Sequence, residues 1–558
     1  MTEQIARSTS RLQEVAAQHA ATAEQFAAQL AARDRQVAAL EHQLKLLLVR
    51  IRGSRQERID PAQLLLFSRE ELQEIAAQLD QPAEQFVEDD AAASRRRKTS
   101  PGRVGPLPAH LPREIVRHEL SPTERTCPGC GEQRQVIGVE TSEQLELVPA
   151  RLKAIQHDRV KYACRRCEGH VAIAAKPPQP IDKGLPAPGL CAHTVLSKFG
   201  DHQPLYRQED VHSRLGKTIR RTTLCGWQAA LAELAQPLAL RMKQLVLQSQ
   251  VIHTDDTSVK MLQPGRGITK TCKFWPYLGD WLHPYAAYDF TQTRERDGPR
   301  TFLAGFRGYL QADAYAGYDC LYAGEGVKEV ACWVHARRYW HQALDNDPLR
   351  ANVALGFIAR LSQIEKQLRR AYPEQNRQGA RDFAAVKAGR QAHAAPILQE
   401  FRAWLDREDA GGRLLPKSPI RAAFTYALNQ WDALTRCVDE GYLSFDNNLA
   451  ERLVKIPAIG RKNFLFVGSQ RGGQGAATLY SLVSSAKANG AEPFAWLRDV
   501  FAQLPSRRSG EAFAQSAAGA PVTSDELDDL LPDRWLQANP QSVWTIDDIR
   551  RQERRRYE

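Results

Sequence analysis

Two Cys-x-x-Cys pairs constrain the fold of this chain more tightly than any other local feature: Cys127-Pro-Gly-Cys130 and Cys164-Arg-Arg-Cys167, with 33 residues (131–163) between them. Each short turn aims two thiolates at one point, so two such knuckles complete a tetrahedral four-cysteine site. Zinc held this way is structural, because four protein thiolates leave no open position. It stabilises a segment too small to bury a core of its own by roughly 10 kcal/mol or more. A thioredoxin-like redox motif is the alternative, and the presence of two paired motifs argues against it. Arg165 and Arg166 within the second knuckle suit either phosphate contact or solvation. The other six of the ten cysteines (Cys191, Cys225, Cys272, Cys320, Cys332 and Cys437) are scattered, which reads as reduced thiols rather than a disulfide scaffold.

At 558 residues the chain has length for roughly three or four folded units. Its hydrophobic share (43%) and charged share (25%) are those of an ordinary globular protein. No run approaches the ~18 uninterrupted apolar residues of a membrane span, and Met1–Arg11 lacks the apolar core of a secretion signal. The expectation is a cytoplasmic protein with no membrane partner. A net charge of +11 suits a polyanion, because Lys and Arg that neutralise phosphates release counterions. Charge alone fits a merely basic soluble protein equally well.

Residues 1–52 read as a leucine-zipper-like coiled coil. One seam position falls on Leu12, His19, Phe26, Arg33, Leu40 and Leu47, the other on Ala16, Ala23, Leu30, Val37, Leu44 and Ile51. The seam is weak at its start, interrupted by Arg33 and strong from Val37. Self-association is the expectation, with an amphipathic helix packed on its own protein as the alternative. Residues 53–112 carry further helical pattern and a Pro-rich basic linker with Arg95-Arg96-Arg97-Lys98, suited to a DNA backbone or simply to solvent. The zinc module takes 113–175. Helical pattern fills 190–247, where a helix, Gly216 and a second helix from about Arg220 have the spacing of a helix-turn-helix or of a plain helical hairpin.

A strand-rich block follows, with runs at Gln250–Lys260, Lys273–Leu278, His283–Phe290, Gly308–Ala312 and Lys328–Val334. Residues from about 340 to 440 are helical, and a strand at Asn463–Val467 closes a block spanning 248–475. A C-terminal helical element (476–520) includes a helix from about Ala476 to Asn489. Residues 521–558 read as a polar, basic tail ending in Arg550-Arg551-Gln552-Glu553-Arg554-Arg555-Arg556.

Three acidic sites carry the chemistry. Val251-Ile-His-Thr-Asp255-Asp256-Thr257 runs an apolar strand into an acidic end, and Gly308-Tyr-Leu-Gln-Ala-Asp313 repeats the pattern. Phe445-Asp446-Asn447-Asn448-Leu-Ala-Glu451 reads as a helix start capped by Asp or Asn. Two strand-borne aspartates and a helix-borne glutamate can converge on two Mg2+ or Mn2+ ions ~3.5–4 Å apart, the arrangement used in phosphoryl transfer. Alternation puts Asp255 with Val251 and His253, and Asp256 with Ile252 and Thr254, without choosing between them. It mildly favours Asp313 as presented to a site. Taken singly, each acid is more often a strand-end cap or a surface residue.

At His253-Thr-Asp-Asp-Thr257, Leu310-Gln-Ala-Asp-Ala-Tyr-Ala-Gly-Tyr318, Cys332-Trp-Val-His-Ala-Arg-Arg338 and Asp446-Asn-Asn-Leu-Ala-Glu-Arg452, continued through Gly460–Ser469, the chain resembles the insertion sequence 66 family of bacterial DDE transposases. The resemblance covers nearly the whole length. It implies a multidomain α/β protein with an RNase H-like catalytic domain, a helical insertion between Asp313 and Glu451, and Asp255, Asp313 and Glu451 as the metal triad. Family position, rather than periodicity, selects Asp255; Asp256 stands where glutamate is usual. The implied partner is double-stranded DNA, both the element's terminal inverted repeats and the target. The implied reaction nicks the element's 3′ ends with activated water and then uses the freed 3′-hydroxyl to attack target DNA. A bacterial, nucleoid-associated setting follows, with homo-oligomerisation through the coiled coil and companion proteins of the same element as further candidate partners.

The resemblance also places His335, Arg337 and Arg338 near the active site. These residues, and Arg461 and Lys462, read as phosphate contacts or as solvated strand ends. Gly468–Gly475 lacks the Gly-Lys-Ser/Thr ending of a P-loop and reads as a flexible turn. Two other function classes stay open. One is a catalytically inactive or domesticated DNA-binding regulator, against which the three intact acids count. The other is an RNase H-like nuclease that cuts without joining. A zinc hydrolase is excluded, because no His/carboxylate cluster stands at ligand spacing.

Overall fold

The computed structural model describes residues 150–162, 172–373 and 381–546, apart from positions 264, 325 and 413, together with Gly129. Residues 1–52, Arg95–Lys98 and the four knuckle cysteines lie outside the described residues. The chain divides into two compact units, one mainly of residues 1–153 and one comprising Ala154–Glu558; the fold described below is that of the second.

A short antiparallel hairpin of β1 (Lys161–Tyr162) and β2 (Ala172–Ile173) precedes three helices, α1 (Pro188–Phe199), α2 (Leu205–Arg214) and α3 (Arg221–Val246). Gly216 turns the chain between α2 and α3 with φ +98°, a conformation costly for any residue with a Cβ. The two helices and the turn at Gly216 read from the sequence are therefore present, a spacing common to a helix-turn-helix and a plain helical hairpin.

The main sheet contains β3 (Val251–Thr254), β4 (Thr257–Leu262), β5 (Thr269–Leu278), β6 (Ala286–Thr291), β7 (Gly308–Gln311), β8 (Val327–Val330) and β9 (Phe466–Val467). Short helices α4 (Asp297–Phe302) and α5 (Asp319–Tyr322) lie in the connections from β6 to β7 and from β7 to β8. The order is β8-β7-β3-β5-β4-β9, with β6 also paired to β5. Both β3 and β4 are antiparallel to β5 in one continuous register, Thr254 opposite Tyr277 and Thr257 opposite Phe274. They therefore act as one long strand interrupted at Asp255 and Asp256, rather than as an apolar strand running into an acidic end. Pro276 explains the interruption. Tyr288, its partner on β6, sends its N–H outward to Ser481. By the alternation of antiparallel ladders, Pro276 then turns its amide edge toward Asp255, where it has no N–H to donate.

β7 is parallel to β3, and β8 is parallel to β7. β3 is buried on both faces. Ile252 enters a core shared with α1 and α3, whereas Val251 enters a second core built by the helices that follow β8. These are α6 (Trp333–Gln342), α7 (Pro348–Ala371), α8 (Phe383–Ala410), α9 (Pro419–Asn429) and α10 (Trp431–Thr435). β8 ends at Val330, so Trp333 and Val334, read as strand from the sequence, begin α6. Trp333, Ala336 and Trp340 face the second core at helical spacing and are buried. Across the chain, α8 ties itself to the segment that follows α10: fully buried Arg390 pairs with Glu365 and donates to the carbonyls of Cys437, Glu440 and Leu443.

α11 (Asn448–Phe464) runs two residues into the strand expected from Asn463. Of the expected strand Asn463–Val467, only Phe466–Val467 pairs, with Lys260–Met261. α12 (Gln470–Ala488) covers β6, and its Ser481 and Ser485 accept the outward N–H groups of Tyr288 and Ala286. The glycine-rich segment is thus a helix start and not a flexible turn. Ser469 caps it through the N–H of Gly472, and Gly473 has room for nothing larger, since a Cβ there would lie 2.5 Å from the Phe290 ring. α13 (Pro493–Gln503), α14 (Glu511–Ala517) and α15 (Pro532–Ala538) complete the described chain. Residues 521–538 depart from the polar tail read in the sequence. Val522, Leu527, Leu530, Leu531 and Trp535 are all buried in the main core, and Asp528 receives Arg241 at 2.7 and 2.9 Å. No helix among the described residues is long and apolar enough to cross a membrane.

Candidate functional site

The parallel pairing of β3 with β7 sets His253 beside Gln311. Two residues on, the same register brings Asp255 level with Asp313. Asp255, Asp256 and Asp313 each offer a carboxylate oxygen within 4.8 Å of the others. Burial pushes the Asp255 carboxyl up to about 7. The backbone N–H of Asp256, 2.7 Å from its Oδ1, opposes this, and the charges of Asp313, Asp256 and Glu451 add to it. The Asp313 carboxyl is also raised, chiefly by burial, with Arg294 acting in the opposite sense. Asp255 and Asp313, both half-buried and both raised by burial, fit a hard divalent cation, which supplies positive charge through oxygen ligands.

Glu451 stands in the first turn of α11. It is not among the three closest carboxylates, yet its charge reaches Asp255 and His335. Two fully buried amides position the segment that leads into this helix. Gln311 Nε2 donates to the carbonyls of Ser444 (2.7 Å) and Asp446 (3.1 Å), and its Oε1 accepts from Ser444 N at 3.3 Å. Asn447 Nδ2 donates to Thr254 O at 2.8 Å. Asn447 is the residue at the N-cap of α11, but its side chain makes no cap bond; it is committed to β3 instead, and the Asn448 N–H is taken by Asp446. Both aspartate-bearing strands are thus stitched to the start of the glutamate-bearing helix.

The other acid of the pair is already occupied. Asp256 holds Lys273 at 2.5 Å and Arg294 at 2.7 Å. His335, in the first turn of α6, is half-buried. Burial and Arg338 hold its pKa below the ordinary value, against the opposing charges of Asp313 and Glu451. Arg337 and Arg338 are exposed on the same helix. Arg461 and Lys462 stand about 15 Å beyond Glu451 along α11, a distance given by ten residues of rise. Arg461 donates to Thr257 Oγ1 at 2.8 Å and to Ser258 O, which ties the helix to β4. Lys462 is exposed.

Sequence reasoning missed Gln311, Asn447, Lys273, Arg294 and Pro276. Two carried a local signal: alternation sets Gln311 on the face of Asp313, and Asn447 lies in the run read as a helix cap.

Residues 183–475 match a model of the transposase IS66 family. Residues 124–168 match the zinc-finger binding domain of transposase IS66, and 481–515 the IS66 C-terminal element. Residues 39–116 match a model described as transposase C of IS166 homeodomain. Among curated proteins, the uncharacterized protein y4jD of Sinorhizobium fredii is 33% identical over 475 residues, 83% of this chain and 86% of its own length. The uncharacterized protein y4hP of the same organism is 30% identical over 535 residues, 91% and 90% of the two chains. The first match encloses Asp255, Asp313 and Glu451 with the strands and helices that carry them, and the second encloses all four knuckle cysteines. The chain belongs to the transposase IS66 family.

Proposed function

We propose that this transposase cleaves and joins DNA strands at a site where Asp255, Asp313 and Glu451 hold two divalent cations, Mg2+ or Mn2+. The observation that carries the reading is the pairing of Asp255 with Asp313 on neighbouring parallel strands while no cationic side chain among the described residues pairs with Asp255. Strand order supports an RNase H-like catalytic fold: three antiparallel strands (β6, β5 and the interrupted β3–β4), then β7 and β8 parallel to the third. The helical insertion of α7 to α10 falls between the second and third acids.

Bound metal supplies a Lewis acid for the scissile phosphate and lowers the pKa of attacking water. The chain holds the three carboxylates in place through two strands and a helix cross-linked by Gln311 and Asn447. His335 sits where it can hold a proton or a phosphate oxygen beside Asp313. Cleavage frees a 3′-hydroxyl, which then serves as nucleophile on target DNA, with no covalent protein–DNA bond. Cys127, Cys130, Cys164 and Cys167 hold structural zinc in this reading. Arg95–Lys98, Arg337, Arg338 and Lys462 contact DNA phosphates, Arg461 having a structural bond in addition. The N-terminal helix joins copies of the chain, and companion proteins of the element assist.

The test is cleavage and strand transfer on labelled DNA carrying the element's own ends, with Mg2+ or Mn2+, comparing wild type with Glu451→Gln. Removal of a metal-holding carboxylate is expected to abolish metal-dependent joined products. Cleavage without joining by the wild type favours the nuclease reading, and equal activity of the two proteins refutes the triad.

A further inference from the structure

Asp256 offers an oxygen within 4.8 Å of Asp255 and Asp313, which is the geometry of a third metal-binding aspartate. Its bonding says otherwise. Oδ2 accepts from Lys273 Nζ at 2.5 Å, and Oδ1 accepts from Arg294 Nε at 2.8 Å and lies 2.7 Å from its Nη2. The Asp256 side chain is 5% exposed, so its charge is compensated by two cations before any metal arrives.

Arg294 is held from several sides. Asp256 grips its Nε and Nη2, and its guanidinium lies 4.2 Å from the centre of the Tyr315 ring. The Tyr315 hydroxyl donates to the carbonyl of Arg294 itself. The same Nη2 stands 3.6 Å from Asp313 Oδ2, and the side chain is 45% exposed. An arginine fixed on one edge by a buried carboxylate and a ring, and open to solvent beside a metal-site carboxylate, matches what a phosphate clamp requires. Its planar fork is oriented in advance, so little freedom is lost when phosphate oxygens arrive.

We propose that Asp256 is a positioning residue and not a metal ligand, and that Arg294, which it positions, contacts the non-bridging oxygens of the phosphate undergoing transfer. The inference rests on the reading of Asp255, Asp313 and Glu451 as the metal site. As the bond from the attacking oxygen to phosphorus forms and the bond to the leaving 3′-oxygen breaks, the proton given up by the nucleophile balances the one gained by the leaving group. Arg294 stays protonated throughout.

The experiment has two readouts: Mn2+ binding to the purified full-length chain by calorimetry, and transposition frequency in cells carrying the complete element, so that companion proteins are present. The variants are Asp255→Asn, Asp256→Asn, Arg294→Ala, Arg294→Lys and the double variant Asp256→Asn/Arg294→Ala, with protein levels matched by immunoblot. Arg294→Ala and Asp256→Asn are expected to bind Mn2+ within about twofold of wild type yet lose about a hundredfold in transposition. The double variant should be no worse than Arg294→Ala, because one residue acts through the other. Arg294→Lys should recover only part of the activity, since it keeps the charge and loses the fork. Weakening of Mn2+ binding by Asp256→Asn as severe as that by Asp255→Asn would make Asp256 a ligand and overturn the proposal. So would multiplicative losses in the double variant, or wild-type transposition by Arg294→Ala. Intact Mn2+ binding and transposition in Asp255→Asn would refute the metal-site reading itself, and the inference with it.

Discussion

Asp255 and Asp256 are chemically identical neighbours, and their surroundings give them different work. The strand direction turns Asp256 toward Lys273 and Arg294, whereas Asp255 accepts the backbone N–H of Asp256 and is left facing Asp313. Pro276 opens the ladder at this level, which frees the backbone there from strand pairing. Glycines show the same dependence on place. Gly226 lies inside α3 with nothing within 4 Å of a would-be Cβ, so Gly226→Ala should raise stability by up to about 1 kcal/mol through helix propensity alone. Gly473→Ala gains the same propensity inside α12 but drives a methyl against the Phe290 ring. The clash, about 1–3 kcal/mol, outweighs the gain, and the protein should be destabilised. Urea unfolding of the two variants checks the opposite signs, and a shift in the same direction for both would contradict the packing described here.

Elements matter here through their ends. The start of α11 decides where Glu451 stands, and that start is set by Gln311 from β7 and Asn447 reaching β3, both fully buried. Asn447→Ala removes the donor to Thr254 O and leaves a buried carbonyl unpaired, at a cost of about 1–3 kcal/mol. The variant should show that loss in urea unfolding together with weaker Mn2+ binding. Lost stability with unchanged Mn2+ affinity would mean the stitch is structural only and does not set the glutamate. The buried Arg390–Glu365 pair works one step further back, holding α7 and α8 to the segment before α11.

At the scale of the whole molecule, two hydrophobic cores meet at β3, through Ile252 on one face and Val251 on the other. The C-terminal residues belong to the first. Trp496 donates its indole N–H to Leu530 O, the Tyr285 hydroxyl donates to Asp533, and Arg241 pairs with Asp528. Truncation after residue 520 should therefore lower the melting temperature and expose apolar surface to a hydrophobic dye, since it strips Leu527, Leu530, Leu531 and Trp535 from the core. An unchanged melting curve would mean that this segment adds nothing to the stability of the unit around the main sheet.

What the sequence determined by itself was whatever lies in local pattern. Apolar runs ending in acids located the strands of Asp255 and Asp313. The near absence of strand pattern located the helical stretch between β8 and α11, and the spacing around Gly216 located the turn between α2 and α3. Misreadings arose where local pattern and packing part company. The Gly-rich run forms the first turns of α12, where Gly473 and Gly475 admit Phe290 and Ala232. The segment after residue 520 is core because three short apolar clusters find partners far away. Periodicity did not separate Asp255 from Asp256; the family resemblance chose between them, and only the tertiary structure gave the two their different partners, gave Asn447 and Gln311 their task, and brought Arg294 to the carboxylates. Asn447 and Thr254 are 193 residues apart, and Arg241 and Asp528 are 287 apart. No periodicity within a helix or strand carries information over such distances; it is supplied when burial leaves each polar group the choice between a partner and an uncompensated desolvation.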